Sequence, residues 1–197
     1  MLQNSIKQLP LNHPLIHFSL PSVHNVLCSP EQFKNSAALV IFFTCNHCPY
    51  VIASEPSLRE TVAEFRETTT FIGINSNDAS TYPSDSFEKM IERNNTENFP
   101  WVYLRDETQE TALNYCALVT PHYFLFNQKR ELVYSGRAVD SPRFPDRISS
   151  YELNDALRDV LSGKTVNNPL TTPIGCSIKW KNNLASENCS VPKPFGH

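Results

Sequence analysis

The sequence predicts a layered α/β domain with a central mixed β-sheet flanked by helices, and three patterns indicate it. An unbroken apolar run at residues 39–43 is typical of a strand that is buried on both faces of a sheet. Strand-like and helix-like segments then alternate along the chain up to about residue 117. Two further strands separated by a short polar turn, and a last amphipathic helix, complete the pattern of one such domain.

Local patterns place the individual elements. The predicted strands lie at residues 38–44, 70–75, 101–104, 123–127 and 132–135. The predicted helices lie at residues 49–66, 85–94, 106–117 and 149–163. Capping pairs predict the starts of the last three helices: Asp85 with Glu88, Asp106 with Gln109, and Ser149 with Glu152.

The chain is long enough for one domain with additions at both ends. Its 197 residues, 40% of them apolar, predict a domain over residues 1–165 that includes a small β arm at residues 10–33. Residues 166–197 are rich in Asn, Pro and Ser, and we expect a partly irregular C-terminal extension there.

Composition argues against several classes of partner. The net charge of −3 comes from dispersed charges, so we expect neither nucleic acid nor an anionic membrane as a partner. No segment approaches 18 apolar residues and the N-terminus lacks the pattern of a signal peptide, which predicts a cytoplasmic protein. Six cysteines are sparse for a disulfide-stapled secreted scaffold, so we expect most of them to be thiols.

The pair Cys45 and Cys48, spaced Cys-x-x-Cys, follows the first buried strand and precedes a predicted helix. Two thiols at a helix start can close a small disulfide, which predicts thiol–disulfide chemistry. We assign attack to Cys45, as the outer thiol near the helix N-terminus, and resolution to Cys48. His47 lies between them, where an imidazole would stabilise a thiolate.

Three segments give the sequence a specific resemblance. Residues 43–51 (Phe-Thr-Cys-Asn-His-Cys-Pro-Tyr-Val), 120–126 (Thr-Pro-His-Tyr-Phe-Leu-Phe) and 175–181 (Gly-Cys-Ser-Ile-Lys-Trp-Lys) resemble the peroxiredoxin-like branch of the thioredoxin superfamily. The resemblance implies a thioredoxin-like fold, with Pro121 in a cis peptide bond beside the dithiol. Pro121 would then shape a substrate groove whose flanking backbone is free to pair with an extended peptide.

The resemblance also marks departures from the family pattern. Cys48-Pro49 matches the peroxidatic Cys-Pro of peroxiredoxins, but Cys45 replaces the motif threonine and Thr120 stands at the position of the peroxide-polarising arginine. His122 replaces the acidic residue that usually follows the Thr-Pro, and Leu39 stands close to the position of the buried aspartate of thioredoxins. His122 is therefore a candidate proton acceptor for Cys48.

The predicted function is a thiol–disulfide oxidoreductase that acts in redox homeostasis on protein or low-molecular-weight thiols, without metal or organic cofactor. Two alternatives stay open: a thiol peroxidase that attacks through Cys48, and a non-catalytic redox sensor or metal-binding module. We expect Cys28, Cys116 and Cys176 to be small buried hydrophobic residues, with a third redox thiol among them as the alternative, and Cys189 to be exposed in the tail.

Overall fold

The computed structural model describes residues 8–181 and contains a five-stranded mixed β-sheet flanked by helices, which confirms the predicted fold class. The strands of this sheet are β3 (Ala38–Thr44), β4 (Thr69–Asn75), β5 (Val102–Arg105), β7 (His122–Phe126) and β8 (Leu132–Gly136), in the order β5-β4-β3-β7-β8. Short strands form two separate pairs: β1 (Leu20–Pro21) with β2 (Leu27–Cys28), and β6 (Val119–Thr120) with β9 (Cys176–Ser177). The helices are α1 (Pro49–Phe65), α2 (Phe87–Glu97), α3 (Glu110–Asn114) and α4 (Glu152–Leu161).

Strand β3 is the centre of the sheet, and all seven of its residues are buried. It pairs in parallel with β4 and antiparallel with β7, as the alternating elements and the closing hairpin predict. The register places Phe43 opposite His122. The end of β3 and the beginning of β7 therefore meet at one edge of the sheet, where the cysteines follow β3 and Pro121 precedes β7.

Successive residues of β3 fill two hydrophobic cores, one on each face of the sheet. Val40 and Phe42 pack on the face that α1 and α4 cover, with Leu58 and Leu157 among the contacts. Leu39, Ile41 and Phe43 pack on the other face, against α3 and the N-terminal arm. This two-sided burial is the reason why the strand is apolar at every position.

All three predicted capping pairs differ from the structure. Helix α2 begins at Phe87 with Ser86 as N-cap, because the carboxylate of Asp85 is buried and accepts from Asn46, Asn75 and Asn77 instead. Helix α4 begins at Glu152 with Tyr151 as N-cap, because Ser149 instead donates to Asp140 and Glu152 pairs with Arg137 at 2.7 Å. Helix α3 is shorter than predicted, because the side chain of Gln109 binds the backbone of Ser76 and Lys179 and not its own helix.

The segment after α4 returns to the domain. The amide of Ser135 donates to the carbonyl of Pro169, and β9 pairs with β6 through the register Thr120 to Cys176. The boundary near residue 165 stays a prediction, and Cys189 lies outside the described residues. Within residues 8–181, no helix has both the length and the apolar character to cross a membrane.

Candidate active site

The two cysteines of the Cys-x-x-Cys motif lie in the short loop between β3 and α1. Cys48 is the N-cap of α1, with extended backbone (φ −67°, ψ 123°), and its carbonyl accepts the hydrogen bond of the Ile52 amide. The unpaired amides of the first helical turn therefore surround Cys48. The prediction that Cys45 lies at the helix N-terminus is wrong by three residues, because the helix begins only at Pro49.

The structure favours Cys48 over Cys45 as the thiolate. Hydrogen bonds from the thiols of Cys45 and Cys176 and from the amide of Val51 lower the pKa of Cys48 to about 5, although burial opposes them. A hydrogen bond from Cys45 to Cys48 raises the pKa of Cys45, and burial and the charge of Asp85 raise it further. These shifts favour Cys48 as the ionised sulfur, whereas the sequence predicts Cys45 as the attacking thiol.

Both thiols of the motif are buried. Cys45 is 1% exposed and Cys48 is 0% exposed, so neither is the accessible outer thiol that the sequence predicts for Cys45. They form a small apolar cluster with Val51, Tyr50 and Cys176. An external sulfur therefore cannot contact either thiol of the motif directly in this conformation.

Thr120 and Pro121 lie beside the dithiol, as the resemblance implies. The carbonyl of Thr120 accepts a hydrogen bond from Cys48 in its thiol form at 3.3 Å, and the hydroxyl of Thr120 is 3.5 Å from Cys45 Sγ. The Thr120–Pro121 peptide bond is cis. Thr120 therefore contacts the sulfurs of both Cys45 and Cys48.

The backbone next to Pro121 is not free to bind a peptide. Strand β6 is already paired with β9, with Val119 opposite Ser177 and Thr120 opposite Cys176. The expectation of an open edge is therefore wrong, because a segment of this same chain lies in the groove that an extended substrate would fill.

His47 contacts an acidic group that the sequence did not single out for the site. Its Nδ1 lies 2.6 Å from Oδ2 of the fully buried Asp85. The two atoms are at the distance of a salt bridge, but their geometry is not that of a hydrogen bond. The imidazole also stacks on the ring of Tyr82, with centroids 5.5 Å apart. His47 therefore faces Asp85, and its influence on the thiols stays a prediction.

Cys45, His47 and Asp85 form the one group of three side chains among residues 8–181 that could hold a metal ion, with donor atoms within 4.8 Å of one another. The carboxylate of Asp85, however, already has four partners within the protein. Oδ1 accepts from the Asn46 amide and the Asn75 side chain, and Oδ2 contacts the Asn77 side chain and His47. These contacts fill the lone pairs of the carboxylate, so the site fits an ion pair better than a metal.

His122 is turned away from the thiols. Its Nδ1 accepts from the Leu118 amide at 3.3 Å, its Nε2 is 3.1 Å from the hydroxyl of Ser135, and its ring packs on Phe124. Burial lowers the pKa of His122 to about 3. The structure therefore gives His122 no role as proton acceptor for Cys48, because both ring nitrogens are engaged on the opposite face of β7.

Cys176 lies against the motif, which the sequence reasoning did not predict. Its Sγ is 2.8 Å from Cys48 Sγ, although the two residues are 128 positions apart in the chain. Unlike Cys28 and Cys116, which are buried as predicted, Cys176 is partly exposed. The one sequence signal for it was its place in the resembling segment 175–181, since a separation this long leaves no local pattern.

Comparison with solved structures finds close relatives of this geometry. A hypothetical protein from Sinorhizobium meliloti 1021 is 31% identical with a TM-score of 0.84, and the match covers 89% of this chain and 97% of that one. An uncharacterized conserved protein from Geobacillus kaustophilus is 36% identical with a TM-score of 0.83, covering 90% of this chain and 94% of that one. No curated protein matches the chain.

More distant structures share the fold. The thioredoxin domain of a thiol-disulfide oxidoreductase from Bacteroides vulgatus is 16% identical with a TM-score of 0.58, covering 69% of this chain and 94% of that one. The family model described as Redoxin matches residues 11–153, which include the Cys-x-x-Cys loop and the cis proline. These matches indicate a redox protein with a thioredoxin-like fold. The chain belongs to the Redoxin family.

Proposed function

We propose that this protein is a thiol–disulfide oxidoreductase whose reactive pair is Cys45 and Cys48, with Cys48 as the thiolate. The observation that carries the proposal is the position of Cys48 at the N-cap of α1, with its sulfur 2.8 Å from Cys176 Sγ and 3.3 Å from the Thr120 carbonyl. A thiol with a pKa of about 5 is almost fully ionised at pH 7, about a hundred-fold more than a thiol with the ordinary pKa of 9. The thiolate is the form that exchanges disulfides.

The net reaction moves two electrons. When the dithiol is oxidised, a bond forms between the sulfurs of Cys45 and Cys48, two protons leave, and the disulfide of the substrate becomes two thiols. The reverse reaction reduces the Cys45–Cys48 disulfide and oxidises two thiols of the partner. Neither direction needs a metal or an organic cofactor, and protein or low-molecular-weight thiols and disulfides are the substrate class.

Turnover of a disulfide substrate tests this proposal. The full chain is assayed with insulin and with a small aromatic disulfide, using a dithiol as the reductant, in parallel with single serine variants. We expect Cys48→Ser to fall to the uncatalysed rate and Cys45→Ser to be slower than the wild type. Cys28→Ser, at a buried thiol outside the motif cluster whose Sγ donates to the carbonyl of Val26, should keep the wild-type rate. Equal rates for the wild type and Cys48→Ser would refute the proposal.

A thiol peroxidase is the second candidate, and the assignment of the thiolate to Cys48-Pro49 favours it. In that reaction Cys48 attacks the outer oxygen of a peroxide, the O–O bond breaks, and a sulfenic acid forms as water or an alcohol leaves. Thr120 stands where peroxiredoxins have an arginine, and within residues 8–181 no arginine donates to either thiol of the motif. The missing donor reduces stabilisation of the charge that develops on the leaving oxygen.

Stopped-flow consumption of peroxide separates the two enzymes. Rapid loss of peroxide that survives Cys45→Ser and disappears in Cys48→Ser would identify a peroxidase. Slow loss, at the rate of a free cysteine, is what we expect for the oxidoreductase.

Elemental analysis of protein purified without chelator tests the remaining alternative, a metal-binding module. A stoichiometric metal lost in both Cys45→Ser and Asp85→Asn would show that these side chains form a metal site. Full metal-free turnover is the result that the oxidoreductase predicts.

A further inference from the structure

Strand β9 lies in the groove beside Pro121, where an extended peptide substrate would bind, and it places Cys176 there. Its backbone runs antiparallel to β6, and Cys176 stands opposite Thr120. This register brings Cys176 Sγ to 2.8 Å from Cys48 Sγ. The chain thus supplies its own sulfur to Cys48 at the place where an extended substrate would present one.

The close approach of β9 depends on Gly175. A side chain at this position would overlap the carbonyl oxygen of Thr120, which is the same carbonyl that accepts from Cys48. Glycine therefore lets the backbone of residues 175–177 lie directly on the Thr120–Pro121 bond.

The segment that follows Cys176 is fastened to the domain by several hydrogen bonds. The amide of Lys179 donates to Asn77 Oδ1 at 2.9 Å, and its carbonyl accepts from the Asp78 amide and from Gln109 Nε2, both at 2.8 Å. Ile178 is buried in the core on the same side. The position of Cys176 against Cys48 is therefore built into the fold, with anchors immediately after the strand.

Exposure distinguishes Cys176 from the other two sulfurs. Cys45 and Cys48 are buried, whereas Cys176 is partly exposed at the surface of the same cluster. A disulfide between Cys48 and Cys176 would have one sulfur within reach of an external thiol and the other at the start of α1. The low pKa of Cys48, about 5, makes it the better leaving group of the two, because burial raises the pKa of Cys176 to about 12.

We propose that Cys176 is a third redox thiol, which forms a disulfide with Cys48 and is the point where external thiols and disulfides exchange. This inference rests on the proposed oxidoreductase function and names its route of access. A low-molecular-weight thiol or a flexible peptide thiol is the partner that fits a partly exposed sulfur in a groove already filled by β9.

This exchange route through Cys176, called the relay below, has three steps, and atoms and electrons balance in each. In the oxidised protein the Cys176 thiolate attacks Cys48 Sγ of the Cys45–Cys48 disulfide; the Cys48–Cys176 bond forms, and Cys45 leaves and takes the proton that Cys176 gave up. An external thiolate then attacks Cys176 Sγ, expels Cys48 as thiolate and forms a mixed disulfide on Cys176. A second external thiolate attacks the external sulfur, which releases the partner's disulfide and the Cys176 thiolate. The protein has gained two electrons and the two thiols have lost them.

Peptide mapping of the oxidised full chain tests the relay. Trypsin leaves Cys45 and Cys48 within one peptide, residues 35–59, and Cys176 in another, residues 165–179. After oxidation with oxidised glutathione and alkylation of free thiols, we expect a cross-link between these two peptides in the wild type and in Cys45→Ser. Absence of this cross-link in both proteins would overturn the inference.

Kinetics provide the second readout. We expect glutathione to reduce the Cys45–Cys48 disulfide of Cys176→Ser at least about tenfold more slowly than that of the wild type, because the external thiol must then reach a buried sulfur. Cys28→Ser serves as the matched control and should react at the wild-type rate. If Cys176→Ser equals the wild type while Cys48→Ser is inactive, the relay is refuted and the proposed function stands. If the wild type itself shows no Cys48-dependent exchange, the proposed function fails.

Gly175→Ala is a variant that keeps all three thiols. Its methyl group pushes β9 away from Thr120, so we expect the cross-link to decrease while the internal Cys45–Cys48 disulfide still forms. Circular dichroism of each variant confirms that it is folded. A wild-type yield of cross-link in folded Gly175→Ala would contradict the role given to β9.

Discussion

Cys48 receives its hydrogen bonds from three separate parts of the chain. Cys45 belongs to the same loop, Val51 to the first turn of α1, and Cys176 to β9. The three groups act together on one sulfur, and Cys48 and Cys45 are buried, where electrostatic effects are stronger than at the surface. This convergence is the residue-scale basis of the proposed chemistry.

The ultraviolet absorbance of the thiolate tests the ionisation of Cys48. In the reduced wild type we expect an acidic step with a midpoint near pH 5, and in Cys48→Ser we expect that step to be lost. Because the unfolded thiol still binds its proton up to its ordinary pKa of 9, the wild type should gain stability over Cys48→Ser as the pH rises from about 5 to 9. A single step near the ordinary pKa would contradict the assignment.

Asp85→Asn tests the buried ion pair beside Cys45. The amide group offers a donor where Asn77 and His47 now meet a carboxylate oxygen, so the free energy of unfolding should fall by about 2 kcal/mol. Removing the negative charge should also lower the pKa of Cys45, which that charge raises. Urea denaturation and thiolate absorbance measure the two effects. Asp146→Asn, at an exposed position, is the control and should change neither.

At this scale the sequence identified the two thiols of the motif and Thr120 and Pro121 correctly as neighbours. Their positions follow from strand ends and from the resemblance, both of which are visible locally. The sequence analysis placed Cys45 at the start of the helix, but α1 begins at Pro49, which makes Cys48 the N-cap. Asp85 was assigned to a helix cap alone, since nothing local indicates that its carboxylate turns towards His47.

Helices α1 and α2 are joined by a partly buried ion pair. Arg93 Nη2 lies 2.8 Å from both carboxylate oxygens of Glu55, and its guanidinium also lies over the ring of Phe99. Burial raises the pKa of Glu55, and the charge of Arg93 opposes that effect. The pair therefore holds α2 against α1, the helix whose N-cap is Cys48.

Arg93→Met tests how much this ion pair between α1 and α2 stabilises the protein. It leaves the carboxylate of Glu55 without its partner, and we expect the free energy of unfolding to fall by about 3 kcal/mol. The matched control is Arg66→Met, which removes an exposed pair with Glu67 and should cost less than about 1 kcal/mol. Denaturant titrations of both variants measure the difference; equal losses would show that the Glu55 pair contributes no more than a surface contact.

The five main strands and the four helices were predictable because each has a local periodicity. Buried strands read as apolar runs, and α4 shows a clear apolar face. The helix starts failed where a capping side chain has a better partner elsewhere, as Ser149 has in Asp140 and Gln109 has in Ser76 and Lys179. Such competition is decided by tertiary contacts, which the local pattern does not contain.

The whole molecule carries a neutral histidine in its core, and this makes stability depend on pH. Burial lowers the pKa of His122 to about 3, whereas the unfolded side chain titrates near 6.5. The unfolded state therefore binds one more proton between these values, and stability falls as the pH decreases through this window, by at most about 1.4 kcal/mol per pH unit from this group.

Unfolding measured from pH 7 to pH 4 checks this expectation. His122→Gln should show a shallower decrease than the wild type, because glutamine has no proton to gain. His24→Gln, at an exposed position, should keep the wild-type slope. Identical slopes for the wild type and His122→Gln would mean that His122 is not held neutral.

For the whole molecule, the order of the elements predicted the fold class. It did not predict that β9 lies in the groove beside Pro121. The pairing of β9 with β6 joins residues 119–120 to residues 176–177, and no periodic pattern connects segments so far apart. Because that pairing was invisible, Cys176 was taken for a small buried residue and the edge beside Pro121 for an open one.

The separation of Cys48 from Cys176 also has a consequence for synthesis on the ribosome. Strands β3 to β8 and helix α4 all precede Gly175 in the chain, so β9 is the last described element to be synthesised. Until β9 pairs with β6, Cys48 lacks the contact with Cys176 that helps to lower its pKa. The new polypeptide therefore completes the surroundings of Cys48 only when residues 175–181 bind to the domain.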